Sequence, residues 1–269
     1  MLPLEDSYLD IIGKAQRGLK LSNSDLSHRA SLEPTELEKI QNGETTDHQL
    51  LAKIAPVLGL GAQELIDAAA KTWHPQPVEV EGLRTFTTNF EDMTVNSYLV
   101  WEGNIAVAFD TGADAGDMLD FAAAQGLNIS QILITHTHGD HIFDLDRLKE
   151  KTGAPAYVGD KEPPIDGAEP FAAGKMFQVG SLTIESRLTW GHAQGGITYF
   201  IKGLSRPVAI VGDAIFAGSM GGGMVSYADA LRTNREQILT LPDDTVLGPG
   251  HGPLTTVAEQ KSHNPFFTA

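Results

Sequence analysis

The stretch Ile132-Leu133-Ile134-Thr135-His136-Thr137-His138-Gly139-Asp140-His141 decides the fold of this chain. An apolar run typical of a strand ends there, and three histidines and one aspartate follow within six residues. Alternation along a strand end places His136 and His138 on the same side. The chain then turns into a helix, which brings Asp140 and His141 round to face them. Because imidazole and carboxylate groups bind divalent metals well, the segment predicts a metal site at the end of a strand.

Three further ligand candidates follow in the second half of the chain: His192, Asp213 and His251. Each follows or ends a predicted strand, and each has a glycine beside it, which lets the backbone bend closely around a site. Active sites of α/β proteins form at such strand ends. The chain has nine histidines. We interpret the remaining four as surface or structural residues: His28, His48, His74 and His263.

The spacing His-x-His-x-Asp-His, followed by His192, Asp213 and His251, resembles the metallo-β-lactamase superfamily over about residues 78–267. The resemblance implies an α/β fold, an αββα sandwich in which two sheets pack face to face with helices outside. It also implies two divalent metal ions, with zinc the first expectation and iron or manganese as alternatives. The implied ligands are His136, His138 and His192 for the first metal and Asp140, His141 and His251 for the second, with Asp213 bridging both.

This ligand set predicts a hydrolase. Two adjacent dications lower the pKa of a shared water, and the resulting bridging hydroxide attacks a thioester, ester or lactone carbonyl. The same ions stabilise the oxyanion that develops. We assign Asp140 a catalytic role as well, since its carboxylate can shuttle the proton of the nucleophile. Asp110, which closes an earlier strand, is expected to support the ligand loops; a simple turn residue is the alternative.

The absence of cysteine excludes the β-lactamase branches that use a cysteine ligand. The remaining β-lactamase branch lacks the bridging aspartate, so Asp213 argues against antibiotic hydrolysis as the main activity. Glyoxalase II, acyl-homoserine lactonases and ribonuclease Z keep the full ligand set. A net charge of −16 disfavours nucleic acid as the substrate. The segments 212–219 and 248–257 are similar to short bacterial glyoxalase II-like proteins, which makes this branch the leading expectation.

The run Ser219-Met220-Gly221-Gly222-Gly223-Met224 lacks the arginine that glyoxalase II enzymes use to bind glutathione. The thiol of the substrate is therefore left open. Met220 and Met224 are candidates for an apolar substrate pocket, and Tyr227, Arg232 and Arg235 are the nearest polar candidates. For these three polar residues, an ordinary helix residue is the favoured alternative. A persulfide dioxygenase with a single iron keeps a similar pattern and is the alternative activity.

Residues 1–72 are predicted to form a separate all-helical domain, residues 73–77 a linker with two prolines, and residues 78–269 the catalytic domain. The first part resembles the helix-turn-helix domain of the Cro/repressor type. That resemblance rests on Asp25-Leu26-Ser27-His28-Arg29-Ala30-Ser31-Leu32-Glu33 and on the apolar positions that follow, including Leu37, Ile40 and Leu50. We expect that removal of residues 1–72 leaves the active-site residues in place.

DNA recognition by this part is not expected. Residues 1–75 contain 7 lysines and arginines against 11 aspartates and glutamates, and the recognition helix would carry Glu33, Glu36 and Glu38. Carboxylates repel a phosphate-lined groove. A DNA-binding regulator that uses the metal domain as a sensor is thus the third hypothesis, behind the two enzymes. With no signal sequence and no long apolar run, we expect a cytoplasmic protein without membrane contact. The expected partner is a small-molecule substrate, and a homodimer is left open.

Overall fold

The computed structural model describes residues 2–269. The chain begins with five helices, which confirms the prediction that this part is helical: Tyr8–Gly18 (α1), Asn23–Ala30 (α2), Pro34–Gln41 (α3), His48–Val57 (α4) and Ala62–Ala70 (α5). Ser7 and Ser22 form capping boxes at the starts of α1 and α2. Ser31, which stands where helix-turn-helix domains usually have glycine, ends α2 with φ of 53°. That these helices form a helix-turn-helix domain stays a prediction.

The rest of the chain forms two six-stranded sheets. The strands of the first sheet follow chain order: Leu83–Phe90 (β1), Met93–Glu102 (β2), Ile105–Phe109 (β3), Asn128–Leu133 (β4), Ala156–Gly159 (β5) and Ala168–Phe171 (β6). Those of the second sheet also lie in sequence order: Met176–Val179 (β7), Leu182–Leu188 (β8), Ile197–Lys202 (β9), Val208–Gly212 (β10), Val246–Pro249 (β11) and Thr255–Thr256 (β12). We did not predict β6, β7 or β12 from the sequence.

Helices cover both sheets from outside. They are Gly116–Gln125 (α6), Gly139–Ile142 (α7), Leu145–Thr152 (α8), Tyr227–Thr233 (α9) and Val257–His263 (α10), with a π-helical turn at Asn234–Ile238 after α9. One core cluster lies between the sheets and combines side chains such as Tyr98 and Phe109 with Tyr199 and Ile210. Two more clusters join the outer face of each sheet to its helices. The predicted sandwich of two sheets with helices outside is confirmed.

The ligand segments meet at one edge of this sandwich. β3, β4 and β5 are parallel neighbours, and so are β10 and β11. Parallel strands end at the same edge of a sheet, so the residues that follow them come together. Asp110 follows β3, His136 lies just after β4, Asp213 follows β10 and His251 lies just after β11.

The five N-terminal helices share a hydrophobic core with the catalytic part. Ile11, Leu37 and Leu51 belong to the same buried cluster as Met220 and Phe266. The connecting segment 72–80 has no helix or strand. It is nevertheless held in place, since the Trp73 ring stacks on His263 at 5.1 Å between centroids. Among residues 2–269, no helix is long and apolar enough to cross a membrane.

Candidate metal centre

The first ligand group consists of His136, His138, His192 and Asp213, whose ligand atoms all lie within 4.8 Å of one another. The Nδ1 atom of His138 lies 3.0 Å from the Nε2 atom of His136 and 3.0 Å from the Nε2 atom of His192. Asp213 Oδ2 is 3.4 Å from His192 Nε2 and 3.9 Å from His136 Nε2. Three imidazole nitrogens and one carboxylate oxygen thus face a common centre.

The second group consists of Asp140, His141 and His251. Asp140 Oδ2 lies 3.4 Å from His141 Nε2 and 3.3 Å from His251 Nε2. Asp213 reaches this group too, since its Oδ1 is 3.3 Å from His141 Nε2 and its Oδ2 is 3.3 Å from His251 Nε2. The carboxylate of Asp213 therefore faces both groups, which is the position that a bridging ligand needs.

The donor set fits divalent metal ions. Ligands about 2.0–2.1 Å from a tetrahedral ion lie about 3.3 Å from one another, which is close to the nitrogen and oxygen separations above. The Nε2 atom of His141 and the Oδ1 atom of Asp213 are buried and have no hydrogen-bond partner within the described residues. A buried polar atom without a partner is costly, and a metal ion would satisfy both atoms at once. We keep metal binding by these seven residues as a proposal.

Four of the five histidines are oriented by a contact from the nitrogen that points away from the cluster. The Nδ1 atom of His192 donates to the Gly222 carbonyl at 2.9 Å, and that of His251 donates to the Thr94 carbonyl at 2.6 Å. The Nδ1 atom of His141 donates to Asp110 Oδ2 at 2.8 Å. The Nδ1 atom of His136 lies 3.0 Å from the Thr135 hydroxyl. These contacts leave Nε2 free as the acceptor that coordinates a metal, as is usual for metal-binding histidine.

Asp110 is buried and contacts the ligand segment that follows β4. Besides His141, its carboxylate accepts hydrogen bonds from the Thr135 backbone amide and the Thr135 hydroxyl, each at 2.7 Å. Its φ of 56° is uncommon for a residue other than glycine. This backbone conformation directs the buried carboxylate towards the ligand segment. It favours a role in supporting the ligands over the alternative of a simple turn residue.

Sequence reasoning missed Glu162. This buried side chain accepts hydrogen bonds from the amide and hydroxyl of Thr137 at 2.9 and 2.7 Å, and from the Gly195 amide at 2.5 Å. It therefore ties the loop of His136 and His138 to the loop of His192. Glu162 stands in a segment without a recognisable motif, and no sequence signal could have linked it to residues so far along the chain.

Two glycines near the ligands leave no room for a side chain, because ligand atoms lie close to their Cα atoms. A Cβ atom at Gly250 would overlap Asp213 Oδ1 and lie 2.6 Å from His141 Cε1. A Cβ atom at Gly221 would overlap the Asp213 carbonyl and lie 2.8 Å from His192 Nδ1. Glycine at these positions thus lets the backbone approach the ligands.

The electrostatics of the two groups differ. Burial lowers the pKa of His136 and, less strongly, that of His192, so both imidazoles stay neutral and able to coordinate. Burial also opposes charge on His141, but the Asp213 and Asp110 carboxylates outweigh it and raise its pKa to about 10. His251 is likewise desolvated, and Asp213 and Asp140 raise its pKa to about 11. Metal binding by the second group would therefore have to release the protons that these carboxylates stabilise on His141 and His251.

The residues predicted to contact the substrate differ in their exposure. Met220 is 0% exposed and Tyr227 is 8% exposed, and both pack in the core shared with the N-terminal helices. Their burial does not favour direct contact with a substrate, and both assignments stay predictions. Arg232 is held on the surface of α9 by Asp229 at 2.8 Å. Met224 is 78% exposed and remains a candidate.

Comparison with known proteins agrees with this geometry. The family description "Metallo-beta-lactamase superfamily" matches residues 91–251. The chain belongs to the metallo-beta-lactamase superfamily. The match covers most of the catalytic part and contains all seven candidate ligands.

Within the superfamily, the chain is 30% identical to the probable metallo-hydrolase YqgX of Bacillus subtilis over 197 residues, which are 64% of this chain and 92% of that protein. It is 32% identical to a hydroxyacylglutathione hydrolase of Methylobacterium sp. over 142 residues, 51% of this chain and 54% of that protein. The chain therefore matches only about half of the length of that second enzyme.

A solved superfamily structure, that of the BLEG-1 B3 metallo-beta-lactamase, is similar with a TM-score of 0.62 and 28% identity, over 69% of this chain and 100% of that one. The structure of ETHE1 from Myxococcus xanthus is similar with a TM-score of 0.59 and 25% identity, over 68% of this chain and 83% of that one. These matches support the coarse assignment as a metallo-hydrolase-type fold.

Proposed function

We propose that the chain is a binuclear metal-dependent hydrolase that cleaves a thioester, ester or lactone. The observation that carries the proposal is the position of Asp213 between the two ligand groups. Its Oδ1 atom lies 3.3 Å from His141 Nε2, and its Oδ2 atom lies 3.4 Å from His192 Nε2. A carboxylate that faces three further ligands on each side is suited to hold two ions near one another.

Two divalent ions bound there would supply an activated water and polarise the carbonyl of the substrate. The chain itself supplies the proton acceptor. Burial opposes charge on Asp140, but the hydrogen bond from His251 lowers its pKa below the usual value, so the group is a carboxylate at neutral pH. The Asp140 side chain is 12% exposed, whereas His141 beside it is 0% exposed. We assign Asp140 Oδ2 to take the proton of the attacking water and pass it to the leaving group.

The surroundings of the ligands favour a substrate with an apolar acyl group. Phe143, at the end of α7, is 66% exposed and contacts the Phe90 ring at 5.5 Å between centroids. Met224, two residues beyond Gly222, is 78% exposed. Each of these apolar side chains follows a segment that carries or orients a ligand. The similarity to a hydroxyacylglutathione hydrolase supports thioester cleavage, while the missing arginine in residues 219–224 leaves the thiol open.

The test measures metal content and turnover on one sample. The full chain, loaded with Zn²⁺, is assayed with four substrates. Two are thioesters, namely S-lactoylglutathione and a thioester whose thiol is uncharged. The other two are an acyl-homoserine lactone and a chromogenic β-lactam. We expect two ions per chain and turnover of at least one thioester or lactone. Two ions with turnover of the β-lactam alone would contradict the proposal, and so would the absence of metal binding.

A persulfide dioxygenase with one iron is the second candidate, and the similarity to ETHE1 from Myxococcus xanthus fits it. Iron is compatible with imidazole and carboxylate ligands. Chain loaded anaerobically with Fe²⁺ is assayed for oxygen uptake with glutathione persulfide. One iron per chain and oxygen consumption, together with no thioester hydrolysis in the Zn²⁺ form, would favour this activity over the hydrolase.

We further propose that residues 1–72 do not read DNA. Helix α3 would be the recognition helix of a helix-turn-helix domain. It exposes Glu38 beside Lys39, its N-cap Glu33 is exposed too, and Glu36 accepts from the Glu33 amide at 2.9 Å. Such a surface repels phosphate. An electrophoretic mobility assay with random duplex DNA at low salt should show no retardation, and retardation would favour the regulator hypothesis.

A further inference from the structure

We infer that the N-terminal helices are a working part of the metal centre, and that Lys14 and Asp6 are positioning residues for it. Both act on the segment Phe216–Met224, which we call the ligand-support loop. This inference rests on the metal centre proposed above, but it concerns how the centre is held together rather than what it cleaves.

A nearly buried ion pair joins the N-terminal part to this loop. The Lys14 ammonium pairs with Asp6, and the side chains are 14% and 7% exposed. Lys14 Nζ also donates to the Met220 carbonyl at 2.9 Å. Asp6 Oδ2 accepts from the Ser219 hydroxyl at 2.5 Å. Each member of the pair therefore has its second partner in the ligand-support loop, so the pair works as a two-point clamp.

The clamped loop in turn orients ligands of both groups. Gly222, two residues beyond Met220, offers the carbonyl that accepts from His192 Nδ1 at 2.9 Å. At the other end of the loop, the Phe216 ring meets His251 edge to face at 5.7 Å, and Lys14 Nζ lies 5.0 Å from the centre of the same ring. Movement of the loop would therefore misplace His192 directly and His251 through the aromatic contact.

Packing fixes the loop to the N-terminal helices over a wider area. Met220 is fully buried in the core cluster that contains Ile11, Ile12 and Leu65. The Tyr227 ring lies against Gly18, where a Cβ atom would overlap it. The expectation that removal of residues 1–72 leaves the active site in place is therefore revised, because the loop would lose both its clamp and its apolar cover.

The experiment uses the full chain, stripped of metal with a chelator and titrated with Co²⁺, whose visible absorption reports on the ligands. Lys14→Met keeps the length of the side chain and removes its charge. We expect its Co²⁺ affinity to fall about 2- to 30-fold, the range that residues outside a site exert through packed contacts. Lys14→Arg, which keeps the charge and can still donate, should recover most of the loss.

Arg235→Met is the matched control. Arg235 donates to the Phe266 carbonyl at 3.1 Å, and Phe266 belongs to the core shared with the N-terminal helices, but Arg235 makes no hydrogen bond to the ligand-support loop. The Arg235→Met substitution should therefore leave the Co²⁺ isotherm unchanged. An unchanged isotherm for Lys14→Met, or an equal loss in Arg235→Met, would overturn the inference, since the second result would mean that general stability of the interface is responsible.

In Lys14→Met, the Asp6 carboxylate is buried without its cation, and an unpaired buried charge can prevent folding. Circular dichroism therefore accompanies each titration. If Lys14→Met does not fold, Ser219→Ala decides, because it removes one loop contact and keeps the ion pair. A weaker Co²⁺ isotherm for Ser219→Ala supports the clamp, and an unchanged one overturns it. Since the readout is Co²⁺ binding, metal binding without hydrolysis would contradict the hydrolase proposal and leave this result standing. An unchanged Co²⁺ isotherm for Lys14→Met would overturn the clamp and leave the hydrolase proposal standing.

Discussion

His141 and His192 are oriented in the same way but by different parts of the molecule. The Nδ1 atom of His141 donates to Asp110, a buried carboxylate at the end of β3 in the first sheet. The Nδ1 atom of His192 donates to a backbone carbonyl in a glycine-rich loop. The first support is part of the sandwich, whereas the second is itself held by the N-terminal helices.

The difference shows that one cluster of candidate ligands combines two kinds of support. His141 is oriented by a charged acceptor in a rigid sheet, and its side chain is fully buried. His192 is partly exposed, and its neutral acceptor lies in a loop that the N-terminal helices contact. Changes in the sheet should therefore act most directly on His141, and changes in the loop should act directly on His192 and less directly on His251.

The largest effect is expected from His138→Ala. His138 Nδ1 lies 3.0 Å from two other ligand nitrogens, so its loss removes the centre of the first group. We expect metal content to fall from two ions to one and hydrolysis to fall to background, with the fold retained. Elemental analysis and circular dichroism measure these outcomes. His48→Ala, at an exposed histidine of α4, is the control; full turnover by His138→Ala with two bound ions would exclude His138 as a ligand.

Gly221→Ala should have the next largest effect. The added Cβ atom would lie 2.8 Å from His192 Nδ1 and overlap the Asp213 carbonyl. Displacement of a ligand by about 1 Å costs about 10²-fold in a site of this kind, so we expect a loss of that size in turnover. Gly222→Ala is the matched control in the same loop, because its Cβ atom would meet only the flexible Met224 side chain at 3.8 Å. Equal turnover of both variants would mean that close approach does not explain Gly221.

Asp110→Asn tests the support in the sheet. Asp110 accepts three hydrogen bonds from Thr135 and His141, and the amide that replaces one oxygen can only donate. We expect Zn²⁺ affinity to fall about 10- to 100-fold, as for other partners of metal-binding histidine. Competition with a chromophoric chelator measures it. One ion should be weakened more than the other, because Asp110 contacts His141 directly and His136 only through Thr135; equal weakening of both would contradict this difference.

Glu162→Gln should have the smallest effect on metal binding. Its carboxylate joins Thr137 to Gly195, and the amide keeps one acceptor. Loss of a hydrogen bond to a charged group should lower the free energy of unfolding by about 1.5–3 kcal/mol. Urea denaturation measures this. Zn²⁺ affinity reduced more than in Asp110→Asn would show that Glu162 controls the ligands rather than the loops.

The sandwich and the grouping of distant ligands such as His136 and His251 could be predicted because the ligand spacing resembles a known superfamily. Strand-end reasoning alone indicated that each ligand follows a strand, but not which sheet that strand joins, since β4 and β11 lie in different sheets. Strand β6 was not predicted because it is short, Ala168–Phe171, and contains Pro170. Proline is typical of an edge strand rather than a central one.

Side-chain direction in the ligand-support loop could not be read from the sequence. Met220 and Met224 flank the same three glycines, and both were interpreted as pocket residues. The structure buries Met220 under the N-terminal helices and exposes Met224. Since that difference depends on where the N-terminal helices pack, no local pattern distinguishes the two methionines. The contacts of Lys14 and Asp6 with this loop could not be predicted from the sequence for the same reason.

The exposure of Met224 has a practical consequence for chemical labelling. The chain contains no cysteine, so Met224→Cys would introduce its single thiol, at a position that is 78% exposed in the native protein. Gly222, two residues away, contacts His192 through its carbonyl. A fluorophore attached to that thiol would report on the surroundings of one ligand without competing attachment sites elsewhere.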